Sequence, residues 1–235
     1  MNIEIIPANM PEKFDDIADI AAAVRRNVRT IQLDLMDGKY VPEKTWPFIY
    51  TNDYHLDDLK KEDRGFPMWE DVNYELDLMV ERPELDIDTW LTIGASRVIL
   101  HYASVHDWDI IRDIDPVLLN FLDLGVAITI HDSLEDIFPL IDEKIVKFVQ
   151  VMGIAQIGFM GEPFDERCLD IIEILHKKYP DMIIAIDGGV SENTIPALRD
   201  AGVSRFVSGS GISGHGIPSE NVAYFRSIAE GEEIE

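Results

Sequence analysis

The chain has 235 residues, 46% hydrophobic and 28% charged, with a formal net charge of −25 from 45 acidic and 20 basic residues. That size and balance fit one large soluble domain with a substantial core. The acid excess argues against nucleic acid or an anionic membrane surface as a partner, and any phosphate site must be made locally.

The first residues, Met1-Asn2-Ile3-Glu4-Ile5-Ile6, lack a basic region and a long apolar run, so they are read as no signal peptide. Asn2–Ile6 reads as a first strand that stops at Pro7, and Pro11-Glu12-Lys13 opens a helix with an apolar stripe of Phe14, Ile17, Ala18, Ala21, Ala22 and Val24. Thr30–Leu35 is the second strand: Ile31, Leu33 and Leu35 share one face, Gln32 and Asp34 the other. Asp37-Gly38 turns the chain out of it. Residues 38–73 form a long connection rich in aromatics, including Trp46, Tyr50, Tyr54, Phe66 and Trp69, with a short charged helix over His55–Asp63. A connection this long covers a site, forms a subunit contact, or packs its own satellite core.

Tyr74–Val80 is the third strand, Leu85–Gly94 a helix and Arg97–His101 the fourth strand. Ile114–Leu124 reads as a helix capped by Gly125, followed by a fifth strand over Val126–Ile130 that ends at His131-Asp132-Ser133. Leu134–Ile141 is a helix, Val146–Met152 the sixth strand and Glu166–Lys178 a helix. That helix carries the only cysteine, Cys168, as a packing residue; one thiol allows no internal disulfide, which fits a reducing cytoplasm. Met182–Ile186 is the seventh strand, leading into Asp187-Gly188-Gly189, and Ser191 opens a helix running to Ala201-Gly202. Arg205–Val207 is the eighth strand, before Ser208-Gly209-Ser210-Gly211, and Pro218–Ala229 is a final helix. No apolar stretch approaches the roughly 20 residues of a membrane helix.

Eight strand–helix units in this length predict an α/β (β/α)8 TIM barrel as one domain over residues 1–229, with residues 230–235 as an acidic tail. An open doubly wound sheet is the alternative. In a barrel the strand C-terminal ends meet at one face. Three acids, Asp34, Asp77 and Asp187, gather there, beside His101 and His131. Asp34 and Asp187 come from different sides of the ring, which suits removing a proton from one face of a carbon and returning one to the other. Glycine turns at Gly158 and Gly161, at Gly188 and Gly189, and at Gly209-Ser210 can cradle phosphate with backbone N–H groups. Met36, Met79 and Met152, each at a strand end, can form an apolar lid that keeps water from a carbanion.

These segments resemble the ribulose-phosphate 3-epimerase family. The resemblance rests on Leu35-Met36-Asp37-Gly38-Lys39-Tyr40-Val41-Pro42, Leu78-Met79-Val80-Glu81-Arg82-Pro83, Gly158-Phe159-Met160-Gly161-Glu162-Pro163-Phe164, Ile186-Asp187-Gly188-Gly189-Val190 and Val207-Ser208-Gly209-Ser210, in the family's order and approximate spacing. It implies a phosphate-binding barrel that inverts C3 of a ketopentose 5-phosphate through an enediolate, with Asp34 and Asp187 as acid and base, a divalent metal, Met36, Met79 and Met152 as the screen, and phosphate on the glycine turns. The family's metal ligands are two histidines and two aspartates. Here the two histidine positions hold Gln32 and Asp77. The family's Pro-Ser-Ile-Leu is Pro7-Ala8-Asn9-Met10, and one extra residue lies between Met152 and Gly158.

Gln32, Asp34, Asp77 and Asp187 would form an all-oxygen site, which suits Mg, Mn or Ca better than Zn or Fe. Without a cation the three carboxylates repel one another. The reading is thus a cytoplasmic epimerase of ribulose 5-phosphate and xylulose 5-phosphate, with a sugar-phosphate substrate, no nucleic-acid or membrane partner, and a homo-oligomeric assembly. A non-catalytic phosphosugar-binding barrel and an epimerase of another ketose phosphate are the alternatives.

Overall fold

A computed structural model describes residues 3–51, 53–159 and 161–232. Its strands are β1 (Glu4–Asn9), β2 (Thr30–Met36), β3 (Asn73–Met79), β4 (Arg97–His101), β5 (Asp123–Ile128), β6 (Phe148–Met152), β7 (Ile183–Asp187) and β8 (Arg205–Ser208). They close into a parallel barrel in sequence order, with β8 returning to β1 so that Arg205 faces Glu4. Around it run α1 (Phe14–Val24), α2 (Tyr54–Lys60), α3 (Ile87–Thr92), α4 (Trp108–Arg112), α5 (Leu134–Asp142), α6 (Arg167–Lys178), α7 (Ile195–Ala201), the short α8 (Ser210–Ser213) and α9 (Pro218–Glu230). This is the TIM barrel that the alternation of units predicts.

The apolar core lies between the strands and the helices. Ile31, Leu33 and Leu35 of β2 join Phe14, Ile17 and Ala21 of α1 in one large cluster. Burying a side chain of that size contributes about 1.5–3 kcal/mol, so this outer ring holds the fold. The barrel lumen is different. Its apolar groups are two small clusters, Ile6, Ala8 and Val207, and Ile99, Ala127, Phe148 and Met152. Between them lie buried polar residues: Thr30, Gln32, Asp34, Glu75, Asp77 and Gln150. Buried polar groups cost free energy unless paired; Gln32 bonds Asp34 and Asp187, Gln150 bonds Asp77, Thr30 bonds Glu4 and Glu75 bonds Arg97.

The long connection between β2 and β3 packs a satellite core with part of its aromatics. Trp46 and Phe66 are buried against Phe14, with Phe14–Trp46 ring centroids 5.3 Å apart. Tyr50, Tyr54 and Trp69 remain exposed.

Several boundaries differ from the sequence reading. β1 runs through Pro7 to Asn9, because proline's fixed φ is compatible with extended backbone and only one ladder donor is lost. Asn2, placed in the first strand, lies outside the described residues, as do residues 233–235 of the acidic tail. α1 starts at Phe14, where the Asp16 side chain turns back to accept from the N–H groups of Glu12 and Lys13. The expected helix over Ile114–Leu124 does not form. Pro116 disfavours helical backbone at Asp115; α4 has ended at Arg112, a single 3-10 turn spans Leu118–Asn120, and β5 starts at Asp123. Gly125 is therefore no helix cap. It lies within β5, and a Cβ there would stand 2.3 Å from the Phe148 ring.

Candidate active site

Parallel register builds the site. Asp34 of β2 lies level with Asp77 of β3, Met36 with Met79, and Met152 of β6 with Asp187 of β7. Gln32, one inward step below Asp34, joins two of the acids. Its Nε2 donates to Asp34 Oδ1 at 2.8 Å and to Asp187 Oδ2 at 2.8 Å. Asp77 is fully buried, with Oδ1 2.8 Å from His101 Nε2 and Oδ2 accepting from Gln150 Nε2 at 3.0 Å.

One oxygen each of Asp34, Asp77 and Asp187 lie within 4.8 Å of one another. Burial, then the charges of Asp187 and Asp77, push the Asp34 carboxyl well above the usual carboxylate range; the bond from Gln32 opposes this. Asp187 rises to about 7, through enclosure of its carboxyl and then repulsion from Asp77. A positive ion among the three would reverse both effects. The three carboxylates suit a divalent cation as a donor set. Gln32 Oε1 is buried without a hydrogen-bond partner among the described residues. It is the nitrogen of that amide that faces the acids, so the side chain serves as a ligand only when its amide is turned.

A cavity of about 320 Å³ opens over these groups at the strand C-terminal ends. Asp34, Asp187, Met79 and Met152 border it, as do Gly158, Gly161, Gly188, Gly189, Gly209 and Ser210. Gln32 and Asp77 are buried and are not on its wall. Neither is Met36, which is fully buried against Val41 and Met79 and backs the methionine that does face the cavity. Gly188 and Gly189 have φ of +88° and +68°, and a Cβ on either would come within 2.8 Å of Ile154 or Phe164. Only glycine lets the β7 turn lie this close to that loop.

Two supporting residues escape the sequence reading. Gln150 holds Asp77; its signal is the alternation of inward Phe148, Gln150 and Met152 with outward Val149 and Val151 in β6. Thr45, in the long connection, donates from Oγ1 to the Asp34 carbonyl at 2.6 Å and accepts from the Met36 N–H at 2.8 Å. It fixes the end of β2, and no local pattern marks it.

Among the described residues, no helix is long and apolar enough to cross a membrane. The chain is 30% identical over 226 residues to the cytoplasmic isoform of ribulose-phosphate 3-epimerase from Oryza sativa subsp. japonica, covering 93% of this chain and 92% of the relative. It is 29% identical to ribulose-phosphate 3-epimerase from Schizosaccharomyces pombe, covering 90% and 89%. The crystal structure of KGPDC from Streptococcus mutans superposes with a TM-score of 0.70 at 12% identity, covering 98% of this chain and 99% of that one, a likeness of fold. Residues 2–213 match the model of the ribulose-phosphate 3 epimerase family. A match of that extent, with relatives aligned over nearly their whole length, makes this chain a member of the ribulose-phosphate 3-epimerase family, a family of enzymes.

Proposed function

We propose that this protein inverts C3 of a ketopentose 5-phosphate, interconverting ribulose 5-phosphate and xylulose 5-phosphate. The observation that carries this reading is the pair Asp34 and Asp187, two carboxyl groups of raised proton affinity that border one cavity and share one Gln32 amide. An acid whose affinity lies near neutral pH can both take and give a proton there. In the reading, one of the two removes the C3 proton and the other returns a proton to the opposite face; the reverse reaction exchanges the roles. Gly188, Gly189, Gly209 and Ser210, with Gly158 and Gly161, hold the phosphate through backbone groups. Met79 and Met152, backed by Met36, keep water from the enediolate.

Asp34, Asp77 and Asp187 would hold a divalent cation, with Gln32 as a further oxygen donor. Such an ion supplies positive charge to the oxygens of the enediolate. Oxygen donors favour Mg, Mn or Ca over Zn or Fe. His101 and Gln150 keep Asp77 in place for that role. The single cysteine and the name of the rice relative support a cytoplasmic setting, and exposed Tyr50, Tyr54 and Trp69 support a homo-oligomer.

The test is solvent deuterium incorporation at C3 of ribulose 5-phosphate, with each of Mg, Mn and Ca added in turn. Exchange with accumulation of xylulose 5-phosphate supports the reading; no exchange in folded protein with any of them sinks it. One feature favours a second reading, a phosphosugar-binding barrel without turnover: the Gln32 amide already offers the two acids a donor where a cation would sit. That reading expects calorimetric binding of ribulose 5-phosphate with no exchange.

A further inference from the structure

The cations of this acidic chain gather at the opposite end of the barrel. A cleft of about 760 Å³ at the strand N-terminal ends is lined by Arg26, Arg29, Arg97, Arg205 and Arg226. These are five of only 20 lysines and arginines, in a chain with 45 acids. No sequence run predicts the cluster. Arg26 and Arg29 come from the turn before β2, Arg97 and Arg205 open β4 and β8, and Arg226 lies on α9.

The acids lining the cleft are Glu4, Asp181 and Glu230. Glu4 is committed inside the barrel: Oε1 accepts from Thr30 Oγ1 at 2.7 Å, and Oε2 accepts from Arg97 at 2.9 Å and lies 3.4 Å from Arg205 Nε. Arg97 has a second carboxylate, Glu75, at 2.9 Å. Among the described residues, the only carboxylate within 4.0 Å of Arg205 is its long share of Glu4, and its guanidinium lies over the Phe148 ring, 4.8 Å from the centroid. Arg205 is 8% exposed, and its Nη1 has no hydrogen-bond partner among the described residues. Burial, and then the neighbouring Arg97, lower its proton affinity below arginine's ordinary value, as expected of a cation short of counter-charge. On the rim, Arg226 donates to the Asn27 carbonyl, which ties α9 to the turn that carries Arg26 and Arg29. Among the described residues, no carboxylate lies within 4.0 Å of the guanidinium nitrogens of Arg26, Arg29 or Arg226.

We propose that this cleft binds a small di- or triphosphate, at a site separate from the sugar-phosphate cavity. Guanidinium groups present planar pairs of N–H donors that match phosphate oxygens. Arg205, packed over the Phe148 ring with its Nη1 unpartnered, leaves buried positive charge behind the cleft wall, and Arg26, Arg29 and Arg226 supply charge with no carboxylate partner among the described residues. The volume falls within the range of about 300–1,000 Å³ typical of small-molecule sites and exceeds what one phosphate fills. Strands of four to seven residues, rising about 3.3 Å each and tilted by about 36°, separate the two ends by roughly 10–20 Å, so both sites can be filled together.

The test is isothermal titration calorimetry with sodium pyrophosphate on the full chain, in EDTA at low ionic strength, with inorganic phosphate as the comparison. Pyrophosphate is expected to bind at least tenfold more tightly than phosphate, and to bind equally well in the presence of ribulose 5-phosphate. R26A/R29A, on exposed positions, is expected to weaken pyrophosphate at least tenfold while its thermal midpoint and its affinity for ribulose 5-phosphate stay unchanged. R226A is expected to weaken it as well. No pyrophosphate binding, affinity unchanged in both variants, or displacement by ribulose 5-phosphate would each overturn the proposal.

Discussion

Replacing Gln32 with leucine removes one nitrogen that two acids share, at 2.8 Å from each. At pH 8, above the value of about 7 for Asp187, that acid is ionised; Asp34 is raised in the same direction by burial and by the charges of Asp187 and Asp77. A hydrogen bond to a charged acceptor contributes about 1.5–3 kcal/mol and one to a neutral acceptor about 0.5–1.5 kcal/mol. With the Asp187 bond at the charged value and the Asp34 bond at no less than the neutral one, the pair is worth at least about 2 kcal/mol at pH 8. The leucine fills nearly the same volume and recovers only a fraction of this. Urea denaturation of wild type and Gln32→Leu in EDTA measures the difference. At pH 5, below the Asp187 value, that acid carries a proton, its bond becomes neutral, and the cost of the substitution is expected to shrink. A cost below about 1 kcal/mol at pH 8, or a larger cost at pH 5 than at pH 8, would refute this account of the amide.

Asp187→Asn is expected to lower kcat for epimerisation at least about 100-fold while ribulose 5-phosphate still binds, the ordinary scale for losing an acid–base group; near-normal turnover would remove Asp187 from that role. The metal-free protein is expected to lose stability as pH rises. Because the folded value for Asp187, about 7, lies above its ordinary 3.8, its contribution is complete below about pH 4 and is lost as pH passes 7. At about 1.36 kcal/mol per pH unit, that interval amounts to about 4 kcal/mol, to be read from urea midpoints in EDTA across that window against Asp187→Asn, where the fall should be smaller. Gly188→Ala forces a side chain onto φ of +88° and against Ile154; a loss of about 1–3 kcal/mol is expected, with KM for the sugar phosphate rising more than kcat falls.

Much of the barrel is legible from local pattern. β2 alternates Ile31, Leu33 and Leu35 with Gln32 and Asp34, and that alternation is the division between outer core and lumen. Where the reading fails, a neighbour decides the outcome. Pro7 stays in β1 because β8 supports it through the pairing of Pro7 with Ser208, and Gly125 is a strand residue because Phe148 fills the space beside it. The acids at strand ends, and Gln32 on the face of Asp34, can be picked out along the chain, but not the bonds between them. That Gln32 reaches Asp187 and that Gln150 reaches Asp77 are facts of the closed ring, and that Thr45 reaches back to the Asp34 carbonyl depends on how the long connection folds over β2. The arginines of the N-terminal mouth are scattered from position 26 to position 226 and meet only in three dimensions.

The amide of Gln32 reaches one partner two positions away and another 155 positions away. A chain still emerging from the ribosome with six strands made would hold Asp34 and Asp77, with Gln150 to reach Asp77, but would lack Asp187. The third carboxylate arrives with β7, and the seam seals only when β8 meets β1. Contacts of such separation form late, since loop-closure entropy must be overcome before they contribute. Asp187 is thus kept from the other two acids through most of synthesis, and the reactive centre comes into existence with the last strands. Turnover would then report on completion of the ring itself: a truncated or circularly opened barrel could retain helices, strands and much of its outer core and still have no site.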